Sequence, residues 1–117
     1  MSAPRYLAID PAVLMAAAGD RPTFDALSRT FLDYAPPICA ALQQALAGGQ
    51  HAAIGQHSHA LKGMTMLVGA TELTALLQQL ETAARLGQPA AAPTLAPSFA
   101  LVLREVALSL AHGGDGD

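Results

Sequence analysis

A chain of 117 residues supports one domain with a core and leaves little for a second. It is 52% hydrophobic and 13% charged with a net charge of −3, which excludes a solvated tail and gives no basic patch for nucleic acid. A single cysteine, Cys39, excludes an internal disulfide framework; with no signal-like N-terminus and no apolar run of about 18 residues, a soluble cytoplasmic domain without a membrane span is expected.

Asp10-Pro11 reads as a helix start, with Asp10 as cap and Pro11 where its missing N–H costs nothing. This first helix is short, about 11–18, and Gly19 stops it. Asp20 and Pro22 open the next, in which Phe24, Leu27, Phe31 and Tyr34 recur at the spacing of one helix face. Pro36-Pro37 interrupts that face, but Ile38, Leu42 and Ala45 continue it to Gly48-Gly49. The expectation is one kinked helix or two nearly collinear ones.

A third helix is expected over about 50–68, with Ile54, Leu61, Thr65 and Val68 inward. Gly69-Ala70-Thr71 is the turn, with Thr71 as a candidate cap for a fourth helix carrying Leu73, Leu76, Leu77 and Leu80 as far as Gly87. Residues 88–97 read as a connection, and a last helix buries Phe99, Val102, Leu103, Val106 and Leu110. Alanine- and leucine-rich helices with short connections and no strand-like alternation predict an all-α protein, an antiparallel four-helix bundle preceded by a short N-terminal helix. One domain over 1–112 with a disordered tail at 113–117 is expected.

The third helix breaks local rules inside one turn. Gly63 is a glycine in a helix interior, at a cost of about 1 kcal/mol relative to alanine. At about 100° per residue, Lys62, Gly63 and Met66 fall within about 60° of His59, while the apolar stripe lies roughly opposite. His59 therefore points away from the core. An imidazole is largely neutral near pH 7 and so nucleophilic. A lysine three residues on can neutralise a phosphoryl group placed on that ring. A glycine beside it leaves room for a second macromolecule.

His59-Ala60-Leu61-Lys62-Gly63, followed after five residues by Gly69-Ala70, resembles the signature of histidine-containing phosphotransfer (HPt) domains. Asp10-Pro11-Ala12-Val13-Leu14 resembles the family's short first helix, Phe31-Leu32 with Pro36-Pro37 and Leu42 its second, and Leu73, Leu77, Leu80 and Glu81 the helix after the motif. The resemblance implies a phosphoryl carrier with no ATP-binding loop of its own. His59 would take a phosphoryl group on Nε2 from an aspartate of one response-regulator receiver domain and pass it to another. Lys62 would steady the group, Gly63 would admit the receiver, and Glu81 would orient the imidazole through Nδ1. Ser58, Gly63 and Met66 are expected on the partner-facing side; Ser58 replaces the alanine common in the family. No resident cofactor is implied, the Mg²⁺ coming with the receiver, and the partners would be receiver domains and a hybrid sensor histidine kinase. A monomer is expected.

Other readings of the same residues are weaker. His57 and His59 are two residues apart and point to nearly opposite sides of a helix, so no metal site is expected. Cys39 reads as a small core residue. The competing function is an interaction module that docks a receiver or kinase without carrying phosphate.

Overall fold

The computed structural model describes residues 5–113. Five helices follow in order: α1 Pro11–Ala18, α2 Arg21–Ala47, α3 His51–Leu67, α4 Thr71–Arg85 and α5 Leu95–Ala111. Helices α2 to α5 form the expected bundle, α3 packing between α2 and α4 and α5 closing the ring against α2 and α4. Helix α1 lies across α2 and α3. The expected tail lies, apart from Gly113, outside the described residues. Among the described residues no helix is long and apolar enough to cross a membrane.

The caps explain where the first helices begin. Asp10 accepts a hydrogen bond from the Ala12 amide at 3.1 Å, and Asp20 one from the Thr23 amide at 2.8 Å. Each satisfies an amide that the first turn cannot pair internally. Helix α4 starts otherwise than expected: Ala70 is its cap position and makes no side-chain bond, while Thr71 is already helical. Helix α5 starts two residues before the expected connection ends, with Pro97 in its first turn, where a missing N–H is harmless.

Helix α2 passes through Pro36-Pro37 as one 27-residue element. Two intrahelical bonds are lost there, and the apolar seam on either side keeps the helix continuous. That seam is Phe24, Ser28, Phe31, Ala35, Cys39, Leu42 and Ala45, all buried. Tyr34 does not belong to it and is 64% exposed, against expectation. The steps of four and three residues run through the small side chains Ser28, Ala35 and Cys39, which let the neighbouring helices approach. The aromatic one position away falls outside. Burial pushes the Cys39 thiol up to about 11, so it stays a protonated core group.

Two polar fastenings hold the N-terminal segment on the bundle. Glu105 of α5 is buried, and its carboxyl accepts the backbone N–H groups of Leu7 (3.0 Å), Ala8 (2.8 Å) and Ile9 (3.3 Å). The Asp10 amide then donates to the Val68 carbonyl at 3.1 Å. Here Gly69 has a specific task. Its φ of +70° suits glycine, and a Cβ would stand 2.8–2.9 Å from Asp10 atoms, backbone included. The second half of the signature, Gly69-Ala70, thus lets α1 sit against the end of α3, with Ala70 fully buried behind it.

Candidate functional site

The inward stripe of α3 is Ile54, Ser58, Leu61 and Thr65, continued by Val68 at its C-cap, all buried. This phase fixes the outward face. His59 is exposed, with 70% of its side chain open, and Gly63 and Met66 are exposed beside it. Nothing stands within 4 Å of where a Gly63 Cβ would be, so the backbone there is bare to solvent. Ser58 departs from expectation. It is fully buried in the seam and cannot face a partner, and its hydroxyl finds no hydrogen-bond partner.

Helix α4 runs alongside α3 and supplies the site's second half. Glu81 Oε2 lies 2.9 Å from His59 Nδ1, and Glu81 Oε1 accepts from Lys62 Nζ at 2.6 Å. One carboxylate thus bridges the two α3 side chains that the sequence placed on one face. Lys62 also donates to Gln78 Oε1 at 2.8 Å, and Gln78 Nε2 in turn donates to Thr82 Oγ1 at 3.1 Å. With these partners the lysine side chain is only 17% exposed. One turn on, the Thr65 hydroxyl contacts the Lys62 carbonyl at 3.1 Å and the Thr74 hydroxyl at 2.8 Å, tying α3 to α4.

The electrostatics follow from this geometry. The Lys62 ammonium first, and the His59 contact after it, hold the Glu81 carboxyl below the usual carboxylate range, against an opposing effect of burial. An ionised carboxylate can only accept, so the proton of a neutral His59 ring sits on Nδ1. Nε2 is left with its lone pair. The arrangement makes that nitrogen a nucleophile with a fixed orientation.

Gln78 and Thr82 escaped the sequence reading, although Gln78 lies three residues before Glu81, on its face of α4, and Thr82 four residues after Gln78. Gly55 also escaped it. It stands one turn before His59 as Gly63 stands one turn after, and its position against Ala84 brings α3 and α4 together there, a Cβ at 55 standing 3.6 Å from the Ala84 Cβ.

The Hpt domain family model matches residues 26–111, and the chain belongs to this family of phosphoryl carriers. Among solved structures, the chain is similar to the crystal structure of histidine-containing phosphotransfer protein B from Pseudomonas aeruginosa PAO1. The identity is 26%, the TM-score 0.79, and the match covers 95% of this chain and 98% of that one. A search of the curated proteins finds no match.

Proposed function

We propose that this chain relays phosphoryl groups between receiver-domain aspartates through a phosphohistidine at His59. The observation that carries the reading is the Glu81 carboxylate bridging His59 Nδ1 and Lys62 Nζ, which leaves Nε2 bare on the exposed side of α3. In the forward step the Nε2 lone pair attacks the phosphorus of an aspartyl phosphate. A P–N bond forms, the P–O bond to the aspartate breaks, and the aspartate carboxylate leaves with the electron pair. The ring becomes cationic in the process, and Glu81, accepting the Nδ1–H, stabilises that charge. The return step reverses each of these events. The receiver brings the Mg²⁺ that neutralises the transferred group; this chain supplies position and proton placement.

The receiver would dock on the face that carries Gly63 and Met66. Met66 is 57% exposed and lines a shallow groove with Val13 of α1 and Thr74 of α4, an apolar rim next to Lys62. Met suits such surfaces because its side chain adapts to the shape it meets. Receiver domains, a hybrid kinase that charges one of them, action as a monomer and a cytoplasmic setting complete the reading.

The test is transfer from a ³²P-labelled receiver domain in Mg²⁺. Wild type acquires an acid-labile, alkali-stable label, and His59→Gln acquires none. A label retained in His59→Gln, or no label with a panel of receivers, overturns the proposal. The second of these results favours a module that docks without carrying phosphate.

A further inference from the structure

His59 opens onto a groove different from the one beside Met66. The groove that its ring lines has a volume of about 500 Å³ and runs toward the start of α3, between His51, Gly55 and His59 on one wall and Glu81, Ala84 and Arg85 on the other. Small residues make it. Gly55 gives the floor no side chain, and Ala84 faces it from α4. Arg85 stands four residues after Glu81, one helical turn along α4 and on the same face.

The two cations near His59 are in different situations. Lys62 is already engaged, at 2.6 Å from Glu81 and 2.8 Å from Gln78. With a neutral imidazole, His59, Glu81 and Lys62 sum to zero charge. A phosphoryl group on Nε2 then carries about two negative charges, of which the now cationic ring balances one, so that about one is left that this trio does not balance. Arg85 is exposed and takes part in no ion pair among the described residues. Its fork of donors suits phosphoryl oxygens better than a single ammonium does.

We propose that Arg85, across the Gly55 groove, is the residue that contacts the phosphoryl oxygens on His59, while Lys62 chiefly holds Glu81 in place. The proposal rests on the phosphohistidine reading above and assigns the cation within it. It also gives Gly55 a purpose beyond helix packing, since a side chain at that position would project toward the space the guanidinium must cross.

The experiment separates this assignment from the relay itself. Phosphoramidate, a small donor that phosphorylates imidazole without any receiver, charges His59, and ³¹P NMR follows the titration of the bound phosphoryl group. The expected result is a phosphoryl pKa lower in wild type than in Arg85→Gln by about half a unit or more. Arg85→Lys should recover part of the shift, and Arg104→Gln, which removes an exposed arginine from α5, should show none. Transfer from a phosphorylated receiver should slow about tenfold in Arg85→Gln and recover in Arg85→Lys. Superimposable titrations of wild type and Arg85→Gln overturn the proposal. If transfer alone slows, Arg85 touches the partner and not the phosphoryl group; if only the melting temperature falls, it serves the helix end. Should the receiver fail to charge His59 while the ³¹P shift depends on Arg85, the relay reading falls and the cation assignment stands.

Discussion

Glu81 and Glu105 lie on adjacent helices, and each carboxyl group accepts hydrogen bonds from more than one donor, yet they do opposite things. The donors to Glu105 are three consecutive backbone amides, two of them in part-buried bonds and the third, that of Ile9, in a buried one. Backbone amides cannot swing away as a side chain can, so the contact fastens the N-terminal segment to the bundle. The donors to Glu81 are the side chains of Lys62 and His59 at the surface. His59 is open to solvent and free to take up charge, whereas Lys62 is largely covered and tied to Glu81 and Gln78. The difference shows that a shared carboxyl is structural or functional according to the freedom of its donors, and that exposure alone tells less.

The largest effect should come from breaking the fastening. Glu105→Ala leaves one buried and two part-buried amides without their acceptor, and should cost about 3 kcal/mol, near 10 °C in melting temperature. Glu105→Gln keeps one acceptor oxygen for two of the amides and should cost about 1 kcal/mol. Hydrogen exchange at Ala8 and Ile9 should speed up in both, and the folded protein should accept phosphoryl groups at the wild-type rate. A Glu105→Ala protein that melts with wild type would remove the fastening from the account.

Next in size is the effect on chemistry. Glu81→Ala should slow transfer to His59 roughly tenfold by freeing the ring tautomer, with the fold retained. Glu81→Gln, which keeps an acceptor for Nδ1–H, should fall between. The pH dependence has a definite sign. The Glu81 carboxyl is held below its ordinary value of 4.5, so its contribution to stability is present above about pH 4.5 and is lost as pH falls through the lower folded value. Glu81→Gln should therefore lose less stability than wild type between pH 7 and pH 3 in thermal melts. A steeper acid loss in the variant would contradict the ion-pair geometry.

The smallest effect concerns Ser58. Its buried hydroxyl has no partner, so Ser58→Ala should leave stability unchanged or raise it by up to about 1 kcal/mol, measured by urea unfolding. A clear loss would reveal a partner for that hydroxyl.

The order of the helices and the starts of α1 and α2 were legible because alanine, leucine and the caps Asp10 and Asp20 speak locally; the starts of α4 and α5, which have no side-chain cap bond, were not. The outward direction of His59 followed from the same arithmetic, since Ile54, Leu61, Thr65 and Val68 point the other way. What stayed hidden were polar residues in apolar seams. Ser58, Glu105 and Ser109 are buried, and a stripe counted from apolar side chains passes over them. Tyr34 failed in the opposite sense, being an aromatic at nearly the right spacing with small residues holding the true seam. The α4 half of the site was legible only in part. Glu81 followed from a likeness to a family, whereas Gln78, Thr82 and Arg85 take meaning only once α4 is laid beside α3. The partner of Gln78 is Lys62, 16 residues away in sequence, Thr82 joins through Gln78, and Arg85 lies across a groove from His59; no local pattern records that.

The attachment of α1 has a consequence for how such proteins diversify. Backbone groups and a glycine fix the segment before α1, through Glu105 and through the contact of Asp10 with Val68 and Gly69, and none of these fixings uses the outer side chains of α1. Val13 and its exposed neighbours can drift under selection while the helix keeps its seat and His59 keeps its geometry. If the receiver docks against Val13 and Met66 as proposed, the surface that chooses a partner is in this way uncoupled from the residues proposed to carry the cargo. A duplicated copy could acquire a new correspondent by changing a few positions on one short helix.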